Sequence, residues 1–420
     1  MQLPRFAPVE QRLYARRVRD IEAAVSRACD RAGLAARVRQ GERVAITVGS
    51  RGIASIGPIT SALVRAVKRL GANPFIIPAM GSHGGATAAG QTALLESLGV
   101  SRRSVGAPIR ASMAVSRIGR TTRGVPVYVS REALQADRVI VMNRVKQHTD
   151  FVGNYESGLI KMLAVGLGKR EGAMAMHSRQ CASLREDVPE AAAMMMKRLR
   201  IAAGVAILEN GYNEVAEIVG IPPADIAQQE RVLLRRVRRT AARLPFRDID
   251  LLIVDWIGKD ISGVGMDTHV IGRRMLWEEP NFRGPRIRLI AVLNLTAASR
   301  GNSLGIGLAD LTTSRVVEGT DWTALRTNVL HTGWLNRAKM PLAFESDREV
   351  LEAAIVGLGE PQASRVRIVR ISDTLHLGRL QVSEGLLAEA RRHARLRLLG
   401  RPAALKFDRR GNLDTSDLRA

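Results

Sequence analysis

Apolar positions along the chain alternate between short β-branched runs and longer stretches with helical spacing. That alternation predicts an α/β protein with parallel-rich sheets. The first forty residues read as an Arg-rich surface helix, with Ile21, Ala24, Val25 and Ala28 at helical spacing before a stop at Gly33. A strand at 43–49 (Arg-Val-Ala-Ile-Thr-Val-Gly), a helix at 59–70 and a strand at 73–78 (Asn-Pro-Phe-Ile-Ile-Pro) then form a βαβ unit. The alternation continues with a helix at 88–98 and strands at 125–129 and 138–142. Two helical stretches, 189–203 and 224–243, lead to the most linker-like segment, 244–250.

Beyond it the pattern repeats in kind. Strands are predicted at 250–255, 287–293 and 365–371, with helices at 321–330, 348–358 and 385–399. The expected architecture is two α/β domains, 1–244 and 245–420, with an active-site cleft between them. In such sheets ligands bind beyond the carboxyl ends of the strands, which singles out the loops that begin at Gly49, Ala79 and Asn143.

Each of those loops carries residues that a plain connection does not need. Gly-Ser-Arg-Gly at 49–52 offers close backbone approach and, in Arg51, a planar fork for a carboxylate or phosphate, although a solvated surface turn is the plainer reading. In Gly-Ser-His-Gly-Gly-Ala-Thr at 81–87, His83 sits among glycines and Thr87 is placed to cap a following helix, a combination suited to an anion and to proton exchange. The third loop holds His148, Lys161 and His177 together with Arg144, Lys146, Lys169 and Arg170. Its Gly-Leu-Gly-Lys at 166–169 lacks the spacing of a P-loop. His177 also has a plain reading, as a histidine among core methionines and alanines.

These motifs, in this order, resemble the nickel-dependent lactate racemase family, and 255–269 and 305–310 resemble its second domain. The resemblance implies a divergent homologue: an isomerase that racemises or epimerises a 2-hydroxy acid, lactate-like or larger. It implies a nickel-pincer nucleotide as cofactor, a pyridinium-3,5-bisthiocarboxylic acid mononucleotide carrying nickel. Carried over position by position, Lys161 is the residue joined to the cofactor and His177 the nickel ligand. His83 and His148 are the acid/base pair, and Arg51 grips the substrate. Ser82, Gly84, Gly85 and Thr87 are further cofactor-binding positions, and Lys259, Arg273 and Arg274 are candidates for an anion contact from the second domain. The chain departs from the family at Gly-Leu-Ile-Lys, 158–161, where the family has Gly-Gly-Arg-Lys, and at Val48, where it has an acidic residue.

Composition narrows the alternatives. The sequence has 420 residues, 46% hydrophobic and 25% charged, so disorder is excluded. Its two cysteines, Cys29 and Cys181, argue against a disulfide framework or a Cys-rich metal site. No signal-peptide core and no membrane-length apolar run is present, which predicts a cytoplasmic protein without a membrane partner. The net charge of +24 raises a nucleic-acid reading, centred on 231–239 and 391–397. Aromatic residues make up only 4%, and both stretches carry leucines or valines at helical spacing. Solvated amphipathic faces with no specific nucleic-acid partner are therefore expected. A zinc-type hydrolase using His83, His148 and His177 is the remaining rival, without a standard ligand spacing to support it. The expected partners are a small 2-hydroxy acid and the enzymes that make the cofactor, and a homo-oligomer is compatible with the sequence.

Overall fold

The computed structural model describes residues 3–50, 52–277, 279–359 and 362–418. The chain forms two compact units, 15–241 and a second made of 1–14 with 242–420. Both are α/β.

The unit 15–241 is built on a five-stranded sheet in the order Asn73–Pro78, Arg43–Val48, Arg138–Arg144, Ile201–Glu209, Val215–Ile221. The first four strands run parallel and the last antiparallel. Arg43–Val48 shows why: after its exposed first residue every side chain is buried, the continuous apolar run that a strand covered on both faces requires. Helices Ile21–Arg31 and Ile56–Arg69 cover one face, and Val25, Ile59, Leu63 and Val67 pack against Val44, Ile46 and Ile140 in one core. Asp20 caps the first of these helices by accepting from the Ala23 amide at 2.9 Å. The chain moves from Arg43–Val48 outward to Asn73–Pro78 and then returns to the other side of Arg43–Val48. This reversal of strand order is a topological switch point, and the loops after Val48 and Arg144 flank it.

In the second unit Leu342–Phe344, Leu311–Thr313, Arg286–Leu295, Asp248–Ile257 and Ile368–Ile371 form a parallel run. Arg379–Ser383, Phe6–Gln11 and Leu396–Leu398 extend it antiparallel. Asp255 and Arg370, on neighbouring strands, make a buried two-pronged ion pair, with Nε to Oδ1 at 2.8 Å and Nη2 to Oδ2 at 3.0 Å.

Several expected elements are placed differently. The N-terminal segment is a strand, Phe6–Gln11, followed by a helix limited to Ile21–Arg31. Pairing of Phe6 with Ser383 and of Val9 with Leu380 places residues 1–14 in the second unit, so the division at 244/245 assigns them to the wrong side. Helix 189–203 extends too far, since Gln180–Arg198 ends before a strand at Ile201. That strand, with Ala202, Ala203 and Gly204, lacks the β-branched density that marks the others. Helix 385–399 shrinks to Leu387–Arg392, and Leu396–Leu398 is an edge strand. No described helix is long and apolar enough to cross a membrane.

Candidate active site

Ser50, His83 and His148 leave the carboxyl ends of three adjacent strands, Arg43–Val48, Asn73–Pro78 and Arg138–Arg144. The segment that carries Lys161 and His177 holds their loops together. The Gly81 amide donates to Gly166 O at 3.3 Å, and Gly49 lies so close to Met162 that a Cβ there would stand 3.2 Å from its methyl.

The His83 loop is tightly determined. Gly84 has φ +66°, and a Cβ there would lie 2.6 Å from the Gly90 carbonyl carbon, so only glycine fits. Thr87 caps helix Ala88–Ser97 as expected, accepting from the Gly90 amide at 3.0 Å. Ser82 is exposed, and Gly84 and Gly85 lie in a single turn of 3-10 helix. Beneath the loop, buried Lys169 donates to Pro78 O at 2.5 Å and to Gln91 Oε1 at 3.1 Å, while Gln91 Nε2 donates to Gly81 O at 2.9 Å. Burial brings the Lys169 amine down to about 8. The half-buried His83 ring hydrogen-bonds through Nδ1 to the Ser50 hydroxyl.

The second group is more enclosed. His148 is buried, with Phe151 against its ring at a centroid distance of 4.7 Å. Its backbone amide donates to Glu156 Oε2 at 2.8 Å, and Glu156 is in turn bound by Arg238. Its Nδ1 accepts from the Asp150 amide at 3.1 Å, and its Nε2 lies 2.6 Å from Lys161 Nζ. Burial first, then the Lys161 charge, with His177 and Lys146 acting in the same direction, pushes the imidazole well below its usual range, against the opposing pull of Asp150. His177 is lowered by burial and by Lys161, so the three side chains share one electrostatic environment.

Lys161 ends the short helix Leu159–Lys161, and one turn of π-helix, Met162–Leu167, begins at the next residue. π-turns are rare and concentrate at functional sites. Glu230 reaches beneath Gly158 to accept from the Ile160 amide at 2.9 Å, and the Leu159 amide also bonds it. Burial raises this carboxyl to about 7, against the pull of those amides.

His177 Nδ1 lies 2.6 Å from Ala173 O, which can only accept, so Nδ1 carries the proton and Nε2 the lone pair. A histidine oriented in this way is the usual form of a metal ligand. No group of three His, Cys, Asp or Glu able to hold a metal occurs among the described residues, so His83, His148 and His177 do not gather as a zinc hydrolase would need. A metal at His177 would take its other ligands from something other than the protein. The donor chemistry therefore fits a metal carried by an organic group.

Residues 6–188 match the lactate racemase N-terminal domain. The matched segment includes Ser50, His83, His148, Lys161 and His177, so it spans the candidate site. No curated protein matches the chain. Among solved structures, a Thermotoga maritima protein is 14% identical, with a TM-score of 0.49 over 67% of this chain and 72% of that one. The lactate racemase apoprotein from Thermoanaerobacterium thermosaccharolyticum is 11% identical, with a TM-score of 0.48 over 80% and 83%.

Of the other candidates, Arg51 lies outside the described residues. Lys259 bonds Gly263 O and Asn328 Oδ1, Arg273 bonds Leu308 O and Asp310, and Arg274 is buried against Glu279 and Phe282, all within the second unit. Ser50, Asp150, Glu156 and Glu230 were not assigned roles from sequence. Glu230 left a trace there, as the one carboxylate of 226–240, at helical spacing with Ile226, Leu233 and Leu234.

Proposed function

We propose that this protein racemises or epimerises a 2-hydroxy acid by reversible hydride transfer, using a nickel-pincer nucleotide. The observation that carries this reading is the contact of His148 with Lys161 beyond the strand ends at the switch point of the parallel sheet, with His177 within their electrostatic reach and Ser50 and His83 at the neighbouring strand ends.

When bound, the cofactor would supply a site that takes the α-hydrogen as hydride and returns it to either face of the 2-keto acid. The protein's part is acid/base and electrostatic. Lys161 would hold the cofactor, and His177 would offer Nε2 to its metal while Ala173 O fixes the ring. His148, held neutral near pH 7 by burial and neighbouring cations, is in its base form and suited to take a hydroxyl proton. His83, oriented by Ser50, is the second proton carrier, so one imidazole serves as base and the other as acid for each enantiomer. Lys146 makes the surroundings favourable to a carboxylate.

The test is to produce the chain together with the cofactor-making enzymes and measure bound nickel, the mass of the Lys161 peptide and inversion at C2 across a panel of 2-hydroxy acids and sugar acids. Nickel, a mass increase and inversion are expected. Folded protein with neither nickel nor the mass increase would overturn the cofactor, and loaded protein inert on the whole panel would overturn the reaction.

A further inference from the structure

Lys169 is a fully buried amine that the proposed reaction does not use. Its backbone is in the left-handed region, with φ +55°, a conformation that costs a residue with a side chain free energy and persists only where the surroundings enforce it. Burying an amine adds a second cost, which an apolar side chain of similar length would avoid. The position explains both. Lys169 lies where the π-turn after Lys161 meets helix Lys169–His177, and its amine reaches out of that segment to Pro78 O, at the end of a strand, and to Gln91 Oε1, in helix Ala88–Ser97.

Gln91 carries the connection on. It is also fully buried, and its Nε2 donates to Gly81 O at 2.9 Å and to His83 O at 3.3 Å. Both carbonyls can only accept, so Nε2 must face them and Oε1 is left for Lys169. A chain of hydrogen bonds thus runs from Lys169 through Gln91 to the backbone of His83. The two backbones also touch: a Cβ on Gly166 would stand 2.7 Å from Ala79 O, and one on Gly81 would stand 3.2 Å from the Ala173 methyl.

We propose that Lys169 and Gln91 are positioning residues that set the His83 loop against the segment carrying Lys161 and His177, and so fix where the His83 ring delivers its proton. The inference rests on the reading of His83 as an acid/base group. The bonds to Pro78 O and Gln91 use two hydrogens, which the amine keeps whether or not it holds a third, so the strut survives the loss of the Lys169 charge.

Gln91→Glu separates the two ends of the strut. Its carboxylate still accepts from Lys169, and the opposite charges offset each other's burial, but it has no hydrogen for Gly81 O or His83 O. In the chain made without cofactor, carbon-13 histidine spectra, with the His83 signal assigned by its loss in His83→Gln, should show that signal displaced and its titration midpoint moved in Gln91→Glu. The signals of His269 and His393, in the second unit, should stay in place. Lys169→Met should displace the same His83 signal. In the cofactor-loaded chain Gln91→Glu should lower kcat for inversion about 10–100-fold, the upper figure being the cost of a misplacement of about 1 Å, with KM and bound nickel kept. A role confined to stability would lower the unfolding midpoint and leave His83 and kcat alone. In the unaltered chain the Gln91 side-chain amide hydrogens should exchange with solvent at least about tenfold more slowly than those of exposed Gln135. An unmoved His83 signal in Gln91→Glu, an unchanged kcat, or Gln91 hydrogens that exchange as fast as those of Gln135 would overturn the proposal. A displaced His83 signal in a chain whose unaltered, loaded form inverts no hydroxy acid would support the positioning and overturn the acid/base reading.

Discussion

The two units have the same sheet chemistry and both pair buried charges, as Glu156 with Arg238 and Asp187 with Arg179 in one and Asp255 with Arg370 in the other, but they differ at the candidate site. In the second unit cations meet carboxylates or carbonyls: Arg370 is clamped on Asp255, Arg274 pairs with Glu279, and Lys259 ends on Gly263 O and Asn328. Around Lys161 in the unit 15–241 an amine faces an imidazole, a second imidazole joins them electrostatically, and a buried carboxylate takes backbone amides in place of a cation. Paired buried ions hold a fold in register. Buried ionisable groups left facing each other cost stability and are a signature of chemistry.

The comparison breaks first on activity. In cofactor-loaded protein, His83→Ala and His148→Ala should each slow inversion by about 10²–10⁴-fold, the range for general acid/base catalysis, with nickel retained. His177→Ala should lose nickel. Chiral chromatography and metal analysis check both, and a loss below tenfold for either acid/base histidine would remove it from that role.

A next, comparable effect lies on stability in the other unit. Arg370→Ala leaves Asp255 buried without its partner and should destabilise the second unit by about 3–5 kcal/mol in urea unfolding. Nickel bound by the cofactor-loaded chain should stay unchanged. A loss of nickel would mean that the two kinds of charge are not separable.

The same contrast explains what the sequence made legible. The strands at 43–49, 73–78 and 138–142 were readable because strands buried on both faces must be continuously apolar, and the loops after them followed from sheet topology. Ile201–Glu209 was not, since Ala202, Ala203 and Gly204 suit a helix as well as a strand until neighbouring strands decide. Phe6–Gln11 was invisible because its partners lie 369 to 389 residues away, at Arg379–Ser383 and Leu396–Leu398. His83, His148, Lys161 and His177 could be named from residue type and spacing. The backbone amide of Asp150, which donates to His148 Nδ1, has no side-chain signature in the sequence.

Glu230 tests the cost of unpaired burial. Its folded pKa, about 7, is raised above the ordinary carboxyl value of about 4.3, so between these values the folded chain holds a proton that the unfolded chain has lost. Its contribution is therefore fully present below pH ~4.3 and is lost as pH rises through about 7. A shift of that size corresponds to roughly 3–4 kcal/mol at about 1.4 kcal/mol per pK unit. Glu230→Gln keeps an oxygen for the Ile160 amide and should flatten this fall, measured as the difference in unfolding free energy between pH 5 and pH 8. An unchanged slope would show that the Leu159 and Ile160 amides already compensate the charge.

The smallest effect separates positioning from chemistry. Ser50 touches His83 but carries no proton through the proposed reaction, so Ser50→Ala removes one hydrogen bond worth about 0.5–1.5 kcal/mol, a roughly 2–12-fold loss in kcat. Ser50→Thr restores the hydroxyl and should recover most of the rate, which a purely steric role for the small side chain would not allow. Because the bond fixes which His83 nitrogen is available, the pH profile of inversion should also shift in Ser50→Ala, while bound nickel stays constant. If Ser50→Ala instead matched His83→Ala in size, the hydroxyl would itself be a proton carrier, and the half-buried pair would have to be read as one catalytic unit.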